Sequence, residues 1–215
     1  MNRTIELSTR EQIVHMLKTK APLTAKDITN ELQITEMAVR RHLATLERDG
    51  YLETSMIRQT MGRPTAAYRL SELAEGFFPK TYHTLTLDLL GELAQESGVD
   101  MIKTLFDRRK SKLQSKYATT MEGLSLSEKV LQLTKLQNEN GYMAEYEERE
   151  NGDFVIQEHN CPISHIANEY NHACHCELDL FKSILQVDVN RTECLATGGS
   201  KCSYVISNPS PPTKP

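Results

Sequence analysis

The chain has 215 residues, a formal net charge of −4 and 39% hydrophobic residues, which is enough for one large domain or two small ones with real cores. No run approaches the roughly 18 apolar residues of a membrane helix, and the first residues lack the pattern of a secretory signal, so we expect a cytoplasmic protein. Charge favours two parts, because residues 1–70 have a balance of +3 and the remainder one of −7.

Three helix starts follow one another in the first 50 residues. Ser8 and Glu11 have the spacing of a capping box, and Thr24 and Thr35 are suited to be N-caps of two further helices. Gly50 is suited to end the third helix. Three short helices with a tight second junction predict a helix-turn-helix, whose last helix lies in the major groove of DNA.

The predicted third helix has two different faces. Its inward face carries apolar residues at i, i+4 and i+7, namely Val39, Leu43 and Leu46. The outward face carries Met37, Arg40 and Arg41 near the helix start, where arginine can bind guanine edges or phosphates. The alternative for the two arginines is an ordinary solvated charged face.

A wing is predicted after this helix. Residues 51–58 and 66–70 have the composition of two strands, and Gly62-Arg63-Pro64 between them predicts a stiff turn with a cation at its tip. Such a cation is well placed for a phosphate or a narrow minor groove. The candidate DNA-binding residues are therefore Thr35, Met37, Arg40, Arg41, Arg58 and Arg63.

The N-terminal motifs resemble those of a known class of repressors. The string Met-Ala-Val-Arg-Arg-His-Leu at 37–43, with Asp-Gly-Tyr-Leu at 49–52 and Gly-Arg-Pro at 62–64, resembles the winged-helix domains of ArsR- and DeoR-like bacterial repressors. This similarity covers about a third of the chain. It implies a DNA-binding domain at 1–75 and does not indicate an operator sequence.

Residues 76–140 predict a helical linker. Helices are indicated from Thr81 to Gly98, from Val99 to about Thr120, and from a second capping-box pattern at Ser125 to Asn140. We expect this region to pair two copies of the chain, so that a homodimer reads a palindromic operator. The charge run at 107–112 indicates either further DNA contact or a solvated helix face.

Residues 141–207 predict a small α+β domain, and the whole chain is therefore expected to be α+β. Asn151-Gly152 indicates a two-residue hairpin turn, Gly198-Gly199 a last hairpin, and helices are expected after Cys161 and from about Cys174. Residues 208–215 are Pro-rich and polar, which predicts a disordered tail.

All five cysteines lie in this last domain. An uneven set of cysteines in a reducing compartment favours metal or redox chemistry over structural disulfides. No C-x2-C pair is present, which weighs against structural zinc without excluding it, whereas loosely spaced thiolates suit an iron-sulfur cluster. Cys161, Cys174 and Cys202 belong to three different predicted elements, and we expect them to converge.

The fourth ligand is open at the level of sequence. Cys174 and Cys176 differ by about 200° on a helix, so both reach one site only if Cys174 precedes the first turn. A two-residue turn at Gly198-Gly199 would pair Leu195 with Cys202, whereas a three-residue loop with a bulge would bring Cys194 round. Cys194 is the preferred candidate, and Cys176, a carboxylate, a histidine or a small thiol are the alternatives.

The C-terminal motifs resemble a sensor family. Cys161-Pro-Ile, Cys174 with Glu177, Arg191, Gly198, Cys202 and Tyr204 resemble SufR-type repressors, which place a winged helix before an iron-sulfur-binding sensor. The resemblance implies a 4Fe-4S cluster on Cys161, Cys174 and Cys202, and a cluster-loaded dimer that represses the genes for building such clusters. Cys176 is an extra thiol relative to this pattern.

Two other functions remain open. The cysteines can instead form a zinc or thiol-disulfide sensing site beside the same DNA-binding domain. A remote alternative is an enzyme with redox or hydrolytic chemistry. It is disfavoured because the chain has neither a phosphate-cradling glycine loop nor a G-x-S-x-G elbow.

Overall fold

A computed structural model describes residues 7–58 and 63–209 and divides the chain into two compact units, Met1–Lys80 and Thr81–Pro215. The predicted α+β class is confirmed: a helix-turn-helix is followed by a helical region and a small antiparallel sheet. The predicted boundary at residue 140 falls inside the second unit. Among the described residues, no helix is both long and apolar enough to cross a membrane.

The first unit contains three helices and a three-stranded sheet in its described residues. Its elements are α1 (Thr9–Lys20), β1 (Leu23–Thr24), α2 (Ala25–Leu32), α3 (Glu36–Arg48), β2 (Leu52–Ile57) and β3 (Thr65–Leu70), followed by a 3-10 turn at Glu72–Phe77. The strands are antiparallel in the order β1-β3-β2. The core is formed by Ile13, Leu17, Ile28, Val39, Leu43 and Leu46.

Local capping explains where these helices begin. The capping box at Ser8 is confirmed, since Glu11 N donates to Ser8 Oγ at 3.4 Å and Ser8 N to Glu11 Oε2 at 2.7 Å. Thr24 caps α2 as predicted, and Asp27 completes a second box by accepting from Thr24 N at 2.8 Å. Each cap contributes about 1 kcal/mol to helix stability.

The second unit packs five helices and a four-stranded sheet around one core within its described residues. Its elements are α4 (Tyr82–Ser97), α5 (Val99–Met121), α6 (Leu126–Glu139), β4 (Ala144–Glu148), β5 (Phe154–Glu158), α7 (Ser164–Glu169), α8 (His172–Leu185), β6 (Val189–Glu193) and β7 (Cys202–Ile206). The sheet is antiparallel in the order β4-β5-β7-β6. Phe154, Ile156, Phe181, Tyr204 and Ile206 lie at its centre.

Both C-terminal turns are longer than two residues. At the first, Arg149 N donates to Asp153 O at 2.8 Å and Gly152 has φ 85°, so three residues rather than two form the loop. At the second, β6 carries a register irregularity between Arg191 and Glu193, and a 3-10 turn at Leu195–Thr197 precedes the glycines. The two-residue turn predicted at Asn151-Gly152 was therefore wrong.

Two further predictions concern chain segments near the limits of the described residues. The predicted wing turn includes Gly62, and residues 59–62 lie outside the described part. Asn208, predicted as the first residue of a disordered tail, donates its backbone N–H to Asp153 Oδ1 at 2.9 Å. Residues 210–215 of that tail also lie outside the described part.

Candidate functional site

The outward face of α3 carries the predicted DNA-binding residues of the helix. Met37 is 82% exposed, and Arg40 and Arg41 are also exposed. Thr35 begins the helix and accepts from Ala38 N at 3.3 Å, which leaves its hydroxyl hydrogen available. Arg40 Nε and Nη2 both donate to Glu36 Oε1, at 2.8 and 2.6 Å.

The wing places two more predicted residues at its open end. Arg58 directly follows β2 and Arg63 lies two residues before β3, and both side chains are exposed. Within the described part of the chain, the guanidinium groups of Arg41, Arg58 and Arg63 make no ion pair. They are therefore the three predicted cations that need not break an intramolecular pair to reach a phosphate.

Side-chain hydrogen bonds join the wing to α3. The Thr54 hydroxyl on β2 donates to the Glu47 carboxylate near the end of α3. Ser71 Oγ, just after β3, donates to Gly50 O at 2.7 Å. These contacts were not predicted, and they hold the helix and the wing as one surface.

Four of the five cysteines come from four different positions of the second unit. Cys161 lies half-buried in the turn after β5, and Cys174 is the third residue of α8. Cys194 follows β6, and Cys202 begins β7. All are free thiols, and Cys174, Cys194 and Cys202 are buried.

These four thiols lie close enough for the charge of Cys194 to act on each of the other three. Burial is the main cause that raises the pKa of Cys161 to about 11, and the charge of Cys194 adds to it. Burial followed by the charge of Cys194 likewise raises the pKa of Cys174. Burial again comes first, with Cys194 contributing, for the raised pKa of Cys202. The four-thiol site below means Cys161, Cys174, Cys194 and Cys202.

The loop between β6 and β7 explains why Cys194 reaches this site. Gly199 N donates to Cys194 O at 2.9 Å, and Leu195 N donates to Cys202 Sγ at 3.4 Å. A Cβ at Gly199 would lie 2.7 Å from Glu193 Cγ and 2.8 Å from Cys194 O, so only glycine fits there. The backbone therefore folds over the thiols instead of forming a simple two-residue turn.

Cys176 lies in different surroundings. Because α8 begins at His172, Cys174 is already helical, and two residues later the chain has turned by about 200°. Cys176 Sγ donates to Asp107 Oδ1 of α5 at 3.4 Å. The structure thus brings Cys194 to the three-cysteine frame and directs Cys176 to another helix.

Two carboxyl groups adjoin the four-thiol site. Glu158 is fully buried, and Gln137 Nε2 donates to its Oε1 at 2.7 Å, while its Oε2 has no hydrogen-bond partner among the described residues. Burial and then the charge of Glu177 raise the pKa of Glu158. The Tyr204 hydroxyl donates to Glu177 Oε2 at 2.8 Å. Glu158 was not predicted as a site residue, although it shares strand parity with Phe154.

The main cation in these surroundings is Arg191. Its Nη1 donates to Cys174 O at 2.7 Å, and its charge acts on Cys174, Glu158 and Glu177. Burial raises the pKa of Cys161, Cys174 and Cys202, which favours their protonated thiol form when no ligand is bound. Metal binding to such thiols releases their protons and stabilises the thiolate form.

The spacing of the thiols bears on which group they can hold. Sulfur ligands of a tetrahedral zinc ion lie about 3.8 Å apart at usual bond lengths. Within residues 7–58 and 63–209, the one group of three or more ligating side chains whose donor atoms all lie within 4.8 Å is Asp107, His172 and Cys176. No three sulfurs of the four-thiol site are that close. Any three of these sulfurs are thus more widely spread than the ligands of one zinc ion, and thiolates are also the usual ligands of iron-sulfur clusters.

Comparison with known proteins supports the assignment of the first unit. Residues 9–57 match a family model described as an HTH domain. No curated protein sequence matches the chain. Together with the antiparallel wing, the family match confirms the predicted helix-turn-helix.

Solved structures show only distant similarity. The chain is similar to a single-residue mutant of Lactococcus lactis ZitR, with 24% identity over 54% of this chain and 80% of that chain and a TM-score of 0.28. It is also similar to Streptococcus pneumoniae FabT in complex with DNA, with 21% identity over 66% of this chain and 79% of that chain and a TM-score of 0.25. Similarity to Bacillus subtilis PadR in complex with operator DNA has 16% identity over 81% of this chain and 98% of that chain and a TM-score of 0.29.

TM-scores below 0.5 do not establish a shared overall fold, so the assignment of the first unit rests on the family match and on its own geometry. That geometry is a helix with an exposed basic face followed by a two-stranded wing. The chain carries the winged helix-turn-helix domain typical of DNA-binding transcription regulators.

Proposed function

We propose that the chain is a homodimeric transcriptional repressor of iron-sulfur cluster biogenesis genes, whose operator binding is controlled by a 4Fe-4S cluster on the four-thiol site. The observation that carries this proposal is the set of four thiols, in which the charge of Cys194 acts on the other three, in a chain with a winged helix-turn-helix domain. Cys161, Cys174, Cys194 and Cys202 would be the four ligands. The sign of control, with the cluster-loaded form binding DNA more tightly, follows the SufR resemblance.

The protein's contribution is to assemble four thiols that are distant in sequence. The turn after β5, the start of α8 and the β6–β7 loop carry these thiols, so the site exists only in the folded unit. A bound cluster supplies iron-thiolate bonds that cross-link the three segments. Without those bonds, the loop depends on its backbone contacts, including the hydrogen bonds of Gly199 and Leu195. Ligand loss should then loosen the loop and shift the population away from the DNA-binding form.

Pairing of two copies is supported by α4. No residue of α4 is buried, and Tyr82, Leu85 and Leu89 are 70%, 56% and 62% exposed. Apolar side chains at i, i+3 and i+7 form a stripe suited to another apolar surface. A two-fold dimer would present two winged domains to a palindromic operator.

Metal content tests the cluster directly. Protein purified without oxygen should contain about four iron and four sulfide per chain. Cys202→Ser should lose most of both, because it removes a buried ligand. Cys176→Ser is the matched control and should retain them, because Cys176 contacts Asp107 instead. Retention of full iron and sulfide in Cys202→Ser would contradict the ligand assignment.

Operator binding completes the test. A genomic DNA selection with the cluster-loaded protein should recover sites that the Cys202→Ser protein binds more weakly. Equal binding by both proteins would contradict control by the cluster while leaving DNA binding intact.

A zinc or thiol-disulfide sensor is the second candidate. It is favoured by the proximity of the Cys174 and Cys194 thiols, because the charge of Cys194 adds to burial in raising the pKa of Cys174. About one zinc per chain without sulfide would support the zinc form, provided that this zinc is lost in Cys202→Ser and retained in His172→Asn. Formation of a reversible Cys174–Cys194 disulfide, detected by peptide mapping, together with failed cluster reconstitution, would support the thiol switch. Small-molecule turnover that survives deletion of residues 1–70 would instead support the remote enzyme alternative.

A further inference from the structure

A second group of ligating side chains lies outside the four-thiol site. It consists of Asp107 on α5 with His172 and Cys176 on α8, and we call it the interhelix trio. His172 and Cys176 are four residues apart and therefore share one face of α8. Cys176 Sγ lies 3.4 Å and His172 Nε2 lies 3.3 Å from Asp107 Oδ1, and all three donor atoms lie within 4.8 Å of one another.

These distances match those of metal ligands. With zinc at its usual distances from sulfur, nitrogen and oxygen, two ligand atoms of a tetrahedral site lie about 3.4–3.6 Å apart. The two measured approaches to Asp107 Oδ1 are within about 0.3 Å of that range. A Cys, His and carboxylate set also suits a borderline-soft ion better than the hard ions magnesium and calcium.

Not every polar atom of the interhelix trio has a hydrogen-bond partner within the trio. His172 Nε2 is buried and, despite its 3.3 Å approach to Asp107, makes no well-directed hydrogen bond among the described residues. Burial and the hydrogen bond to Asp107 raise the pKa of Cys176 to about 11. The thiol is therefore a poor nucleophile by itself, which disfavours a Cys-His-Asp catalytic role.

One cation already competes for this position. Lys110 Nζ lies 3.3 Å from Asp107 Oδ1 and 3.5 Å from Asp179 Oδ2. Its side chain is 24% exposed and can remain on Asp179 when Asp107 binds another cation. Lys110 is thus expected to weaken metal binding without preventing it.

We propose that Asp107, His172 and Cys176 bind one divalent zinc-type cation, separate from the four-thiol site, and that this cation cross-links α5 to α8. Three protein ligands leave a fourth tetrahedral position for water. Because Cys174 lies on a different face of α8, the cation would fix the helix that presents this thiol without sharing a ligand with it.

Zinc titration of the full-length protein tests the proposal. Metal-free reduced protein is titrated with Zn²⁺ against a chromophoric chelator, for wild type, His172→Asn, Cys176→Ser and His175→Asn. His175 is exposed on the same helix and provides the matched control. His172→Asn and Cys176→Ser should each lose one equivalent of zinc, or weaken it at least about tenfold, while His175→Asn binds as wild type.

Cobalt spectroscopy separates this site from the four-thiol site. A Co²⁺ ion in the trio has one thiolate ligand, so the one-thiolate part of the sulfur-to-cobalt absorption should be lost in Cys176→Ser and persist in Cys202→Ser. Lys110→Ala should tighten zinc binding, which a purely structural Cys176–Asp107 hydrogen bond does not predict. Wild-type zinc stoichiometry and affinity in His172→Asn would overturn the proposal.

Iron and sulfide content distinguish this inference from the function proposed above. His172→Asn should retain the iron and sulfide of wild type, so its zinc result is independent of the cluster. If the wild-type chain binds no cluster but His172→Asn loses one zinc equivalent, the interhelix trio is supported and the cluster on the four-thiol site is rejected. If the chain binds the cluster but zinc binding is unchanged in His172→Asn, the cluster is supported and the interhelix trio is rejected.

Discussion

The adjacent arginines on α3 differ in the intramolecular contacts that they must break to bind DNA. Arg40 makes two hydrogen bonds to Glu36, whereas Arg41 makes no ion pair within the described chain. An exposed pair of this kind contributes at most about 1 kcal/mol to stability, but it must be broken or rearranged when Arg40 turns to a phosphate. The two side chains are therefore unequal as DNA ligands even though they are neighbours in sequence.

Arg41→Ala should weaken operator binding by about 1–3 kcal/mol, and Arg40→Ala by less, because Arg40 exchanges one anionic partner for another. Fluorescence anisotropy with a labelled operator at two salt concentrations measures both effects. Arg48→Ala, at the opposite end of α3, is the control and should change affinity little. Equal losses for Arg41→Ala and Arg48→Ala would reject a contact specific to the helix start.

At the scale of elements, the β6–β7 loop determines whether Cys194 joins the other thiols. Its geometry depends on the register irregularity between Arg191 and Glu193, the 3-10 turn Leu195–Thr197 and the close approach of Gly199 to Cys194 O. Gly198 adds a left-handed backbone with φ 89°. Loop length and backbone conformation, rather than strand pairing alone, thus select the fourth thiol.

Gly199→Ala should destabilise the second unit by about 1–3 kcal/mol, because the new Cβ would overlap the Cys194 carbonyl and displace the loop. Urea unfolding measures the change in free energy, and iron content measures the effect on the four-thiol site. Gly91→Ala is the matched control, since its Cβ meets nothing within 4 Å and α4 should gain up to about 1 kcal/mol. An unchanged unfolding curve for Gly199→Ala would contradict this steric account.

At the scale of the whole molecule, the described chain has two compact units, each with its own core. The first has an apolar core beneath a basic outward helix face, and the second surrounds the cysteines with a core of its own. The exposed apolar stripe of α4 belongs to the second unit. Under the proposed function, control of DNA binding requires that changes in the second unit of a dimer alter how the two first units meet DNA.

Replacing Leu85 and Leu89 by Glu should convert the proposed dimer to a monomer, because charged side chains would be buried at the interface. Sedimentation velocity measures the mass, and anisotropy should show weaker binding to a full palindrome with little change for one half-site. Leu131→Glu is the control, because Leu131 is 53% exposed and lies on α6, not on α4. A wild-type monomer, or a double variant that remains dimeric, would contradict the assigned interface.

Features governed by neighbours in sequence were predictable. The capping boxes at Ser8 and Ser125 begin α1 and α6 as expected, since a cap needs only residues three positions apart. The wing strands and the inward face of α3 also follow from local periodicity. The three-residue loop at Asn151-Gly152 was missed because Arg149 and Asp153 extend the hairpin by a pairing that the turn motif does not specify.

The sequence by itself determined the helix-turn-helix, the wing strands, the α+β class and the residue types available for DNA and metal chemistry, because local hydrogen bonds and side-chain periodicity encode these features. Only the tertiary structure decided which thiols meet. The position of Cys194 depends on a loop folded against Cys202, and that of Cys176 on a partner on α5, 69 residues earlier. The burial of Glu158 is also nonlocal, because Gln137 and the sheet enclose it. Such contacts join residues distant in sequence, so no local pattern specifies them.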